Sequence, residues 1–229
     1  MAAASSSSAA NKPPIMEVYV SGVASSQYRL RALSGTEGLG SLFEYRVSVL
    51  AKDANIDAST MLEKPVAITV EMPNNKPLRA FHGIVTEMAP MGVVGRYYEY
   101  MLVLRPRLWL SSLNRRHQIF HQKSVKDIIN SVLGQAGLTV SWGSTSSSAS
   151  APRDYTVQYG ESDFHFISRL MEQHGLFYYF EHSKSEHKLV ITDRISTLGM
   201  VSGFESIPYR ESIAGQIENT AECACRPRR

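Results

Sequence analysis

Cysteine is nearly missing from this chain. Its 229 residues include two, Cys223 and Cys225, both at the far C-terminal end. A C-x-C pair seldom closes on itself, because the two Cβ atoms of one extended segment diverge. A disulfide framework is therefore excluded, and the composition suits folding in a reducing compartment. Charge of one sign is also scarce: 24 Lys and Arg face 21 Asp and Glu, a formal net of +3. That excess is too small to argue for a nucleic-acid partner. The basic residues cluster only locally, at Arg105 and Arg107, at Arg115 and Arg116, and from Arg226 to the end, where solvated surface accounts for them. No run of about twenty apolar residues is present, so stable membrane insertion is not expected. The first 14 residues are rich in Ser and Ala, without a basic stretch or a continuous apolar core. They read as a disordered segment rather than a signal peptide.

The motifs that carry chemistry are missing too. There is no P-loop, no G-x-G-x-x-G, no H-E-x-x-H, and no G-x-S-x-G elbow after a strand. The chain has seven histidines, but none has ligand spacing to an acid or a thiol. His117 and His121 lie in a strand-like run. His182 and His187 bracket a hairpin turn at 183–186. His165 and His174 sit on a helix, the second near its C-terminal end, where a cation is mildly favoured. Glu161, Asp163 and His165 are close enough in sequence to pose as acid and base, yet helix capping explains Ser162 and Asp163 without chemistry. Structural or surface use is expected throughout, with no catalytic residue, no cofactor-binding residue, no metal ligand and no cofactor.

What the chain does contain is organised around residues 154–182. Tyr155, Val157 and Tyr159 alternate with Thr156 and Gln158, which predicts a strand with the aromatic side buried. Ser162 and Asp163 then open a helix in which Phe166, Ile167, Leu170 and Met171 are expected to be buried. Gly175 takes the left-handed position that closes it, and a dense aromatic strand follows. Upstream, the pattern from residue 15 to 110 is nearly all β. Phe43, Tyr45, Val47 and Val49 form one face of a strand, and Val66, Ile68, Val70 and Met72 one face of another. A strand at 78–88 contains Gly83, a site of a bulge or of close backbone approach. Residues 89–96 read as a Gly/Pro loop, and 97–104 as a strand covered on both faces. Residues 124–136 form a helix opened by a capping box of Ser124 and Asp127, and residues 143–152 a low-complexity, mobile loop. Ile207, Tyr209 and Ile213 suit one more strand.

The string from Tyr155 to His182 resembles the most characteristic stretch of the VgrG family, the spike proteins of the type VI secretion apparatus. The matching residues are Gln158, Tyr159, Glu161, Ser162, Asp163, Phe166, Arg169, Leu170, Gly175, Tyr178 and Phe180. Phe81, Gly83 and Val85 extend the likeness, as do Pro106, Leu108, Trp109 and Leu113. The resemblance, which also reaches phage contractile-tail baseplate hub proteins, implies an α+β, mostly β fold of two barrel-like β domains with inserted helices. The first domain would span 15–115 and the second 116–200, with helices near 124–136 and 163–174. The tail, 201–229, would return to the first domain. The family's later barrel and needle are not expected within these 229 residues, and Glu222 to Arg229 do not resemble the family.

The resemblance further implies a structural hub in which three copies of two barrels match a hexameric tube. Its partners would be the tube protein, itself as a homotrimer, and effector or adaptor proteins, with no nucleic acid. It would reside in the bacterial cytoplasm before firing and then be secreted or delivered into target cells by the apparatus. The alternative is a hydrolytic effector or a phage-hub cell-wall-degrading enzyme.

Overall fold

The computed structural model describes residues 16–24, 27–70, 79–145 and 147–198. Alternation of apolar and polar residues builds the first sheet. Its strands are β1 (Met16–Val20), β2 (Tyr28–Thr36), β3 (Glu44–Ala51), β4 (Pro65–Val70), β5 (Arg79–Val94) and β6 (Tyr97–Arg105). They lie in the order β1-β4-β5-β6-β3-β2, each antiparallel to its neighbours. The two edge strands, β1 and β2, approach each other, so the sheet curls into a nearly closed barrel. Tyr45, Val47, Val49, Val66, Ile68, Val85, Leu102 and Leu104 fill its interior. The one-turn helix α1 (Ala58–Met61) adds the buried Met61 to that core, and the Asp57 carboxylate accepts from Ser59 N–H to cap it.

A short 3₁₀ segment, Arg107–Ser112, leads from β6 into the second half of the molecule. There β7 (Arg116–Ser124) pairs, among the described residues, only with β9 (Pro152–Glu161), while β8 (Val140–Trp142), β10 (Phe177–His182) and β11 (His187–Thr192) form a separate sheet in the order β10-β11-β8. Two helices lie between them. In α2 (Val125–Gln135) the Ser124 hydroxyl accepts from Asp127 N–H, as the capping box predicts. In α3 (Asp163–Gln173) the Ser162 hydroxyl accepts from His165 N–H. Gly137 and Gly175 follow the two helices with φ of 68° and 64°, where a Cβ would be strained. Val125, Ile128, Ile129, Val132 and Leu133 of α2 meet Phe166, Ile167, Leu170 and Met171 of α3 in a second core.

The expected α+β, mostly β, hub-like fold is therefore present, with a barrel-like first sheet. A second barrel is not among the described residues: the strands beyond Ser112 fall into two small sheets, and α2 and α3 fill the space between them. Residues 1–14 and the proposed return of 201–229, including Cys223 and Cys225, lie outside the described residues, as does Met72.

Three local expectations are corrected. Residues 89–94 are not a loop but the outer end of β5, paired with β6 up to a two-residue turn at Gly95 and Arg96. Pro90 fits because the register slips between it and Gly92, where two residues oppose one. Residues 143–152 are not a free loop either: Ala149 is fully buried in the second core, and Thr192 Oγ1 donates to the Ser144 carbonyl. Finally, β9 faces the other way. Thr156 and Gln158 are buried, while Tyr155 and Tyr159 are 53% and 82% exposed. The reason lies in the corner that follows, which draws Gln158 inward.

Leu170 has no solvent exposure and sits between the two helices. Leu170→Ala is expected to destabilise the chain by about 2–5 kcal/mol, read as a lower urea midpoint at unchanged slope. A near-neutral result would mean that the second core relaxes around the lost side chain. Deleting residues 145–151 should likewise lower stability, since it removes the Ala149 contact.

Candidate functional site

The corner between β9 and α3 divides its labour. Ser162 caps the helix, and Asp163 does something else. Its carboxylate, 1% exposed, accepts from Asn114 Nδ2 (2.6 Å) and Gln158 Nε2 (2.9 Å) and stands 3.3 Å from Arg116 Nε. Asn114 Oδ1 accepts in return from Asp163 N–H. Glu161 is used separately, in a bidentate pair with Arg169, whose Nη2 also donates to the Val157 carbonyl. The acid-and-base reading of Glu161, Asp163 and His165 has no geometry behind it, because both carboxylates are saturated by structural partners and His165 is exposed. Of the clustered arginines, Arg116 is used here and Arg105 pairs with Glu44 and Glu87 while lying over the Trp109 ring.

The second constellation is one the sequence did not assemble. Gly83 in β5 leaves room for Phe43: a Cβ there would stand 3.2 Å from the Phe43 ring and 3.1 Å from Leu104 Cβ. Phe43 can therefore lie between the barrel and the β10–β11 hairpin. Its ring packs against Tyr45 at 4.7 Å, Phe180 at 5.0 Å, His182 at 4.8 Å and His187 at 5.6 Å. Around it three histidines converge. His82 Nδ1 and His187 Nδ1 are 2.8 Å apart. His187 Nε2 accepts from Arg107 N–H at 2.9 Å, and His182 Nδ1 accepts from His82 N–H at 3.1 Å. His182 Nε2 stands 3.2 Å from the Tyr45 hydroxyl, which donates to Glu37 at 2.7 Å.

These partners fix every proton. A ring nitrogen that accepts from a backbone N–H carries no hydrogen, so neutral His187 has its proton on Nδ1 and gives it to His82 Nδ1. His82 is then protonated on Nε2. His182, accepting at Nδ1, donates from Nε2 to Tyr45. Burial holds the rings in this neutral form: it lowers His82 to about 4 and His187 to about 3, with neighbouring histidines adding repulsion. Burial also lowers His182, against a partial pull upward from Glu37. The Tyr45 phenol is pushed far up, first by burial and then by its bond to Glu37.

Such a chain can transmit hydrogen-bond direction but is ill suited to a metal, since five of its six ring nitrogens are already engaged. Among the described residues there is no group of three or more His, Cys, Asp or Glu placed to hold one. Beside the cluster lies a cavity of about 240 Å³, lined in part by Pro65, Arg107, Leu138 and Glu186. The histidine at 82 was the missing member: only strand parity, which sets it opposite Phe81 and Gly83, could have pointed to it. His174 departs from expectation as well. Burial and Arg153, 3.3 Å away, lower its basicity rather than favouring a cation.

The outer faces are the third feature. On the β7–β9 sheet, His117 pairs with Tyr159, Ile119 with Val157, and His121 with Tyr155. Ile119, Tyr155 and Tyr159 are all more than half exposed, so this face presents a row of rings and aliphatic groups to solvent. The end of the β5–β6 hairpin exposes Met91 and Val93.

Residues 36–223 match the phage tail baseplate hub family. The chain is 34% identical to the type VI secretion system spike protein VgrG1c of Pseudomonas aeruginosa over 190 residues, which is 83% of this chain and 26% of that protein. It is 29% identical to the actin cross-linking toxin VgrG1 of Vibrio cholerae over 77% of this chain and 16% of the toxin. This chain thus spans about a quarter or less of the length of these two relatives. Among solved structures, the E. coli c3393 protein, a component of the type VI secretion system described as similar to the T4 tail proteins gp27 and gp5, superposes with a TM-score of 0.69. That likeness, at 22% identity, covers 80% of this chain and 51% of the other.

Asp163→Ala should cost about 2–3 kcal/mol, because it takes the carboxylate from Arg116, which keeps only Gln135, and removes an acceptor from Asn114 and from Gln158. Ser162→Ala, which removes only a cap, should cost about 1 kcal/mol. Chemical denaturation of both variants checks the order, and equal losses would show that Asp163 acts as a mere cap.

Proposed function

This chain belongs to the phage tail baseplate hub family, and from that membership we propose that it is the hub-like base of a type VI secretion spike. The observation that carries the reading is the family match across residues 36–223, which includes β3 to β6 of the barrel and the helical half. Two of its relatives, VgrG1c and VgrG1a of Pseudomonas aeruginosa, are spike proteins, which supports a structural part rather than an enzyme. In the proposed assembly three copies form a ring, dock on the end of a hexameric tube, and carry a needle and effectors. The chain waits in the bacterial cytoplasm and leaves with the spike when the apparatus fires. A hydrolytic role gains no support from the corner or from the histidine chain, whose polar groups are committed to one another.

The exposed row of Ile119, Tyr155 and Tyr159, with half-buried Val157 among them, is the surface the proposal offers to a neighbouring copy. Stable protein interfaces bury roughly 1,200–2,000 Å² in total, and one two-stranded face plus a hairpin tip falls short of that. The 229-residue chain is therefore expected to be monomeric or weakly trimeric at micromolar concentration, and trimeric once fused to a three-stranded needle. Light scattering after size exclusion reads both states. The double variant Tyr155→Ser, Tyr159→Ser should weaken the needle-bearing trimer and its co-sedimentation with tube protein while leaving the melting temperature of the chain unchanged. A concentration-independent trimer of the chain alone would place the main assembly surface in the hub itself. Failure of the needle-bearing trimer to bind tube protein would remove the docking role.

A further inference from the structure

The three histidines join parts of the chain that are far apart: His82 on β5 of the barrel, and His182 and His187 on the β10–β11 hairpin. We propose that this imidazole chain is an acid-opened latch between the barrel and the helical half, closed only while all three rings are neutral. The argument rests on hydrogen-bond accounting and does not depend on the spike reading.

Each bond across the junction needs a bare nitrogen. If His187 gains a proton on Nε2, that N–H points at Arg107 N–H, 2.9 Å away in the closed state. If His82 gains one on Nδ1, it faces the Nδ1–H of His187 across 2.8 Å. If His182 gains one on Nδ1, it faces His82 N–H across 3.1 Å. No single protonation leaves all three contacts intact, and rotating His182 or His187 to escape one clash breaks that ring's other bond. Phe43 and Phe180 hem the rings in, so a charged imidazole is also poorly solvated there.

The charged groups around the chain do not rescue the protonated form. From the β2–β3 connection, Glu37 favours a cation at His182, but it is shared with the Tyr45 hydroxyl of β3 and with Arg79 of β5. Arg79 opposes charge on His182. From the 3₁₀ segment, Arg107 opposes charge on His187. From the hairpin turn, Glu186 lines the adjoining cavity but is exposed. β4 places uncharged Ala67 opposite His82.

The direction with pH follows. His82 and His187 lie below their ordinary 6.5, at about 4 and about 3. The opened state therefore binds more protons between those values, and stability rises with pH. The latch is fully effective above about pH 6.5. It weakens as pH falls from there towards 4, and its contribution is gone once the rings are protonated in the closed state.

The test uses the intact chain. Hydrogen exchange, corrected for the intrinsic effect of pH, is followed in peptides covering Tyr45, His82 and residues 177–192, with far-UV circular dichroism as the measure of global unfolding. Protection in these peptides should fall about tenfold or more between pH 7 and pH 4.5, while α2 and α3 stay protected. In His187→Gln the amide oxygen can accept from Arg107 N–H and the amide nitrogen can donate to His82, without titrating in this range. The loss of protection should then be smaller. Junction peptides that remain protected at pH 4.5, or a His187→Gln chain as acid-sensitive as the parent, would overturn the latch. As an independent check, histidine ¹⁵N spectra of the unaltered chain should show Nδ1–H for His187 and Nε2–H for His82 and His182 at pH 6. Any of the three found protonated on both nitrogens at that pH would also overturn it.

Discussion

The ring of Phe43 occupies space that exists because residue 83 has no side chain. A Cβ at that position would stand 3.2 Å from the ring, 3.2 Å from the Arg105 carbonyl and 3.1 Å from Leu104 Cβ. Its neighbours, one of them backbone, would have to give by a few tenths of an ångström to admit it, and β5 is pinned by β4 on one side and β6 on the other. With glycine in place the barrel wall is thin at this point. Phe43 settles into it, Phe180 meets Phe43 edge-on, and the β10–β11 hairpin gains a place to rest. Phe180 then packs against both hydrophobic cores. The close approach of Phe43 is thus what makes one molecule of two halves.

Aromatic packing alone would leave the angle between those halves loosely set, because rings slide over one another at small cost. The imidazole chain removes that freedom. Every ring in it has one donor and one acceptor, and Arg107 N–H and His82 N–H fix which nitrogen is which. A chain of such bonds has a direction, and only one placement of the hairpin satisfies all of it. A fully apolar junction would stand up to acid better. The buried polar groups supply register instead, and they do so without the desolvation cost of a buried charge, since all three rings are neutral.

Much of this was legible in the sequence. Period-2 alternation located four of the six strands of the barrel, β3 to β6, and the Ser124 and Ser162 caps with Gly137 and Gly175 set both helices nearly to the residue. The family likeness in residues 155–182 was legible too, because it rests on a long run. The failures have physical causes. Pro90 and Gly92 read as loop formers, yet a register slip accommodates them in a long hairpin. The 143–152 stretch is poor in apolar residues, but one alanine suffices to fill a small gap in the second core. Tyr155 and Tyr159 looked buried because aromatics usually are. At this corner Asp163 needs Gln158 beside it, and in a strand that requirement turns every alternate residue outward. The histidine chain was invisible for a simpler reason: its members are about a hundred residues apart, 82 against 182 and 187.

The inversion of β9 links the interior of the molecule to its exterior. Asp163 is the first residue of α3, and its partners come from two other segments, Asn114 and Arg116 from the start of β7 and Gln158 from β9. Satisfying that carboxylate costs the second core two tyrosines, which pass to solvent with Ile119 between their strand partners. A monomer gains nothing from such an exchange: buried rings would stabilise it more than a polar network that only neutralises itself. In an assembly the exchange makes sense, because rings with a polar rim are what a contact surface is built from. His117 and His121, paired across the strands with those tyrosines, supply part of the rim. The same corner that holds α3 in place therefore also sets which side chains the β7–β9 sheet turns outward, and the proposed contact between copies rests on that face.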